Sequence, residues 1–153
     1  MEGDGEGTRH VTVVPGRAEV DRFLGSQHVM RLATASPRVG VPHVVPVWYM
    51  YEGGAFYIGT NARTTKARNV RETGRAGFCI DAGVHSPDIF GVAGQGRAEL
   101  LTGGGVMDTA SRILSRYYGG AAAVADSPAA QELLADTDCI ILVRPDRMTS
   151  WRY

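Results

Sequence analysis

Phe56-Tyr57-Ile58-Gly59-Thr60 runs through Asn61-Ala62-Arg63-Thr64-Thr65 into Lys66-Ala67-Arg68-Asn69-Val70-Arg71. The opening five residues are rich in aromatic and β-branched types and read as a strand. Thr64 and Thr65 are natural N-caps for a helix running on through Ala67, Val70 and Arg71. Lys66 is the only lysine among the 16 basic residues, all the others being arginine, and Asn61 and Asn69 are the only asparagines. Lysine is a compact, strongly hydrated point charge suited to a phosphate oxygen, whereas arginine is a planar fork. A strand, a polar turn, hydroxyls at a helix start and one lysine together describe an anion-binding corner. An ordinary capped surface helix with a solvated lysine has the same composition, so these residues settle the local structure before they settle a ligand.

Upstream, Pro15 to Gly25 carries Val20, Phe23 and Leu24 at helical spacing. His28 to Thr34 reads as a strand, Ser36 to Gly40 as a turn, and Pro42 to Tyr51 as the returning strand. Glu52-Gly53-Gly54 forms the next hairpin turn, leading into Ala55 to Thr60. Downstream of the lysine helix come a strand over Ala76 to Ala82, a loop over Gly83 to Ile89, and a strand over Phe90 to Leu101. That last strand contains Gly91, Gly94 and Gly96, the mark of a bend or of close approach by another group. Helices follow over Val106 to Tyr118 and Pro128 to Leu134, joined by a small-residue linker. A sixth strand over Asp138 to Arg144 and a short one over Met148 to Tyr153 end the chain. Consecutive antiparallel strands with few helices predict a mainly β fold, a small six-stranded barrel with helices packed outside it.

A chain of 153 residues with 44% hydrophobic and 21% charged content is most simply one domain with a real core. The expected organisation is a disordered tail over residues 1–15, rich in Gly, Glu and Asp, followed by a single domain over 16–153. Formal net charge is zero and no basic stripe with interleaved aromatics appears, which argues against nucleic acid. No apolar run approaches the ~20 residues of a membrane span, and the N-terminus lacks an apolar signal core, so a cytoplasmic protein is expected. Cys79 and Cys139 each lie in an apolar strand and read as buried free thiols. His10, His28, His43 and His85 share no metal-ligand spacing.

Pro46 interrupts the second strand. Without an N–H it belongs at a sheet edge or a bulge. An edge strand over Val45-Pro46-Val47-Trp48 would offer free backbone groups to a flat ring, and the next strand ends at Gly59-Thr60 beside the anion corner of Thr65 and Lys66. Blunting an aggregation-prone edge is the plainer role for such a proline. No G-x-S-x-G, H-E-x-x-H, Walker loop or complete G-x-G-x-x-G is present, so reactivity would belong to a bound cofactor.

Taken in order, several segments resemble the FMN-binding split-barrel superfamily, the pyridoxamine-phosphate-oxidase-like proteins. They look most like its deazaflavin-dependent branch, which uses coenzyme F420. Leu32-Ala33-Thr34-Ala35 with Gly40-Val41-Pro42-His43 resembles the opening hairpin, and Val45 to Tyr49 the flavin-edge strand. Phe56 to Thr60 with Thr65 to Arg71 resembles the phosphate-binding strand and helix. Gly96 to Leu100 resembles a later strand, and Arg147 to Trp151 the terminal one. The resemblance implies a six-stranded antiparallel split barrel, a homodimer with cofactor sites between subunits, and F420-dependent hydride transfer to a small organic substrate. Under it, the backbone of Val45, Pro46, Val47 and Trp48 faces the ring. Gly59, Thr60, Thr65 and Lys66 hold the phosphate end, and Asn69 supports their helix. The second subunit completes the site near Phe90-Gly91 and Trp151. Tyr49, Tyr57 and His43 are candidate proton donors. FMN is the alternative cofactor, although Thr65 stands where the FMN oxidases carry an arginine before the lysine. A non-catalytic flavin- or haem-binding module is the alternative role.

Overall fold

A computed structural model describes residues 14–153. The expected tail over residues 1–15 therefore falls almost wholly outside the described residues. Helix α1 (Arg17–Ser26) leads into a hairpin of β1 (Met30–Ala35) and β2 (Pro42–Val47), followed by a second hairpin of β3 (Met50–Glu52) and β4 (Ala55–Thr60). Gly53 and Gly54, at φ 58° and 77°, form the tight turn of the second hairpin. Positive φ at both central turn positions matches the right-handed twist of the strands and is open to glycine at no steric cost. Helix α2 (Thr65–Thr73) is stopped by Gly74 in the left-handed conformation, its N–H bonded to Val70 O. Strands β5 (Arg75–Ala82) and β6 (Phe90–Leu101) form a long pair, and an excursion through α3 (Val106–Tyr118), α4 (Ala121–Asp126) and α5 (Pro128–Asp136) returns as β7 (Cys139–Arg152).

All pairings are antiparallel, in one seven-stranded sheet of order β2-β1-β5-β6-β7-β4-β3. Strands β2 and β3 stand at its two ends, yet only Trp48 and Tyr49 separate them in sequence. Laid flat at ~4.8 Å per strand, those ends would be roughly 29 Å apart. Three Cα steps reach about 11 Å at most. The sheet must therefore curl until its edges nearly meet, leaving a seam between β2 and β3. This is a split barrel, mainly β with flanking helices.

The barrel interior holds Leu32, Val47, Phe56, Ile58, Phe78, Ile80, Val92, Ile141 and Val143, joined by Val20 and Leu24 of α1 and Val70 of α2. Residues Cys139 to Val143 are buried on both faces, which explains their unbroken apolar run. Ile141 faces the barrel core, while Ile140 packs outward against Val106, Ala110 and Ile113 of α3.

Three expectations are corrected. The strand over Pro42 to Tyr51 divides at Trp48, because the Tyr49 backbone bonds to side chains of α3: its N–H donates to Tyr117 Oη at 2.8 Å and its carbonyl accepts from Arg116 and Tyr117. The expected sixth and terminal strands are one strand, β7, paired with β6 from Phe90↔Arg152 to Leu101↔Ile140. Pro145 does not end it. A bulge beside Gly96 absorbs an extra residue, and a Cβ on Gly96 would stand 2.0 Å from Arg144 O. The count is thus seven strands rather than six. The linker between the two later helices is itself largely helical, as α4. Among the described residues no helix is long and apolar enough to cross a membrane.

Candidate functional site

The lysine segment folds as its residue types require. Thr64 is the cap, its hydroxyl accepting from Ala67 N at 3.4 Å and donating to Asn61 O at 2.8 Å. Thr60, buried at the end of β4, meets the same hydroxyl at 3.2 Å. Asn61 folds the turn, accepting from Arg63 N at 3.0 Å. Asn69 is buried and donates to Thr34 Oγ1 at 3.1 Å, fastening α2 to β1. Thr65 is exposed at the first helical position. The amides of Thr65 and Lys66, at the first two helical positions, have no intrahelical acceptor.

Lys66 is half-buried, and burial pushes its ammonium below the usual lysine range. Among the described residues only the Cys139 sulfur opposes this, and no carboxylate contributes. Both nearby carboxylates have other donors: Asp138 accepts from the Ala62 amide at 2.7 Å, and Asp136 accepts from the Asn61 side-chain amide at 3.5 Å. A desolvated cation with no anion of its own is the group an anionic ligand would stabilise.

Lys66 lines a cavity of about 230 Å³ together with Gly59 and with Pro46, Val47 and Trp48 of the seam. The opposite wall is apolar: Ala110, Ile113 and Leu114 of α3 and Leu133 of α5, with Thr137 beyond. Among the described residues strand β2 pairs with β1 alone, which leaves its other backbone edge at the seam. Pro46 sits on that edge, opposite Arg31, as its missing N–H requires. Val45 and Val47 turn inward against the core, and Val44 and Pro46 turn outward.

Five of the nine expected site residues, Pro46, Val47, Trp48, Gly59 and Lys66, thus line one cavity. Val45, Thr60, Thr65 and Asn69 lie around it without lining it. Phe90, Gly91 and Trp151 lie together elsewhere on the barrel: Trp151 covers Gly91, where a Cβ would fall 2.1 Å from its ring. None of the three candidate proton donors lines the cavity. Tyr49 is fully buried and donates to Leu24 O at 2.6 Å, and burial raises its pKa strongly. Tyr57 packs into the cluster around α3, and His43 Nδ1 is buried without a hydrogen-bond partner. Among the described residues no group of His, Cys, Asp and Glu is placed to hold a metal, and both cysteines are free.

The helical wall is what the sequence alone does not reveal. Ala110, Ile113 and Leu114 recur at helical spacing, which marks a buried face without saying what it faces. Tyr117, on the next turn, stacks on Trp48 with centroids 4.4 Å apart and planes 8° from parallel. Its hydroxyl bonds to His28 O at 2.9 Å and to the backbone of Tyr49. Arg116 beside it donates to Tyr49 O, to Gly25 O at 2.8 Å and to Gln27 O at 3.1 Å. The wall is therefore riveted to the seam by two consecutive residues.

Comparison with curated proteins finds no match. Among solved structures, a conserved hypothetical protein of Mycobacterium tuberculosis is similar at 24% identity and TM-score 0.77, over 92% of this chain and 86% of that one. An FAD-binding protein of Mesorhizobium loti is 19% identical with TM-score 0.64, over 94% and 99%. The heme storage protein HutZ of Vibrio cholerae is 11% identical with TM-score 0.67, over 88% and 94%. At these identities the likeness establishes the fold. The family model described as pyridoxamine 5'-phosphate oxidase matches residues 17–152, the whole of the curled sheet and its helices, and the chain belongs to that family.

Proposed function

We propose that this protein binds the deazaflavin coenzyme F420 and acts as an oxidoreductase on a small organic substrate, as a homodimer whose second subunit completes the site. The observation that carries the reading is Lys66: a half-buried ammonium without a carboxylate partner, in a cavity bounded by the free edge of β2. A planar head with hydrogen-bonding edges and a phosphate tail satisfies both features. One cation, with Thr65 rather than a second cation before it, matches the single negative charge of the phosphodiester in the F420 tail.

When bound, the reduced ring supplies a hydride to an electron-poor double bond. The chain's own residues position and shield. Free backbone groups of β2 fix the ring edge, Lys66 and the first amides of α2 take the phosphate, and Ala110, Ile113, Leu114 and Leu133 exclude water. None of Tyr49, Tyr57 and His43 lines the cavity, and solvent is the proposed source of the proton that balances the hydride. FMN is the second reading, supported by the family's description and by a fold neighbour described as FAD-binding.

The test is a fluorescence titration of cofactor-free protein with F420 and, in parallel, with FMN. Micromolar or tighter F420 binding with weaker FMN binding is expected. The reverse order makes this an FMN protein, and binding of neither removes the reading.

A further inference from the structure

The Lys66 cavity is not alone at the seam. A second cavity of about 330 Å³ is lined by Val29, Pro46, Val47, Trp48 and Leu133. All of these but Val29 also line the first, so the two are contiguous along one edge strand. Their chemistry differs. The first contains an ammonium, and the second has no titratable side chain at all. An ion placed in the second would find no side chain of opposite charge in its lining.

Its one aromatic plane is held firmly. Tyr117 occupies one face of the Trp48 indole and is itself tied to His28 O and the Tyr49 backbone. Trp48 nevertheless remains 40% exposed, Val29 41% and Leu133 44%. Tyr118 meets the same indole edge-on with centroids 6.2 Å apart, and the exposure that remains is left for a further ring. A cavity of about 150 Å³ suffices for benzene, so one of this size admits two fused rings.

We infer that the cavity between Val29, Trp48 and Leu133 is the substrate subsite and that it takes an uncharged, flat, conjugated molecule of about two fused rings. The inference rests on the cofactor reading of the neighbouring cavity. It places the substrate beside the cofactor ring, across the shared residues Pro46 to Trp48, rather than in competition with it.

The test is isothermal titration calorimetry of the full chain with neutral 2-naphthol and anionic 2-naphthoate, with and without saturating F420. With F420 present, 2-naphthol should bind saturably and at least tenfold tighter than 2-naphthoate. Val29→Asp, which puts a charge in the second cavity, and Val29→Trp, which fills it, should each weaken 2-naphthol at least tenfold. Neither should change F420 affinity or the mass of the assembly measured by light scattering. Unaltered 2-naphthol affinity in both variants overturns the inference, as does displacement of 2-naphthol by F420. A changed assembly mass also overturns it, because the groove is then an interface between copies. If F420 fails to bind while 2-naphthol still responds to Val29, the subsite stands and the cofactor reading falls.

Discussion

Replacing Lys66 by alanine isolates the ammonium from the rest of the corner. Its half-burial lowers its own pKa and no carboxylate compensates, so the side chain gives the folded protein little in return for its desolvation. Thermal stability should therefore be unchanged or slightly raised, with the cap at Thr64 and the tie at Asn69 intact. Cofactor affinity should fall. A charge-assisted hydrogen bond to phosphate contributes about 1–3 kcal/mol, which is roughly 5- to 150-fold in Kd. The informative assay titrates wild type and Lys66→Ala with matched pairs: FMN against riboflavin, and F420 against its deazaflavin head without the phosphate-bearing tail. The loss should appear only with the phosphorylated member of each pair. Equal losses for both members would mean that Lys66 acts on the ring or through the fold. No loss in any titration, with the fold intact, would refute the assignment of this corner to an anion.

The same cation sets a pH dependence. A bound phosphate favours the charged ammonium, so affinity should hold at neutral pH and decline as pH rises through the lowered pKa of free Lys66, earlier than for an ordinary lysine. Titrations from pH 7 to 10 should show this in wild type and a flat profile in Lys66→Ala. Gly96→Ala should cost about 2–3 kcal/mol in urea unfolding, because the obstacle 2.0 Å from the new Cβ is a backbone carbonyl that cannot swing aside. Arg116→Ala should cost about 2–3 kcal/mol by leaving carbonyls of Gly25, Gln27 and Tyr49 short of a charged donor, and should shift tryptophan emission as the Trp48 platform loosens. Arg116→Lys should not restore either property, since a point charge cannot span the carbonyls that the guanidinium fork reaches.

What the sequence discloses is local. The cap and stop of α2, the paired glycines of the β3–β4 turn, the edge position of Pro46 and the crowded glycines of β6 are each written in adjacent residues. The break at Trp48–Tyr49 is not, because the groups that draw the Tyr49 backbone out of the ladder sit 67 and 68 residues later, on Arg116 and Tyr117. Continuity of β7 through Pro145 depends likewise on a glycine in another strand. Helix α4 is a different case. Its alanines are the strongest helix formers, but the glycines before them and the proline after them make so short a segment read as a linker. Half of the site was legible for the same reason as the fold: Lys66 and the edge strand announce themselves, whereas the wall facing them comes from an amphipathic helix whose partner only the tertiary structure names.

The chain leaves the sheet after Leu101 and re-enters at Cys139, and Leu101 pairs directly with Ile140. The ladder thus closes on itself whatever lies between, and residues added where α3, α4 and α5 join would cost little beyond loop closure, about 0.6 kcal/mol per doubling. Yet that excursion supplies one entire side of the ligand cavity. It works as an exchangeable cassette on a constant frame. Mutational drift in the helices can rewrite what the pocket admits, while the lysine and the seam that face it stay where the barrel puts them.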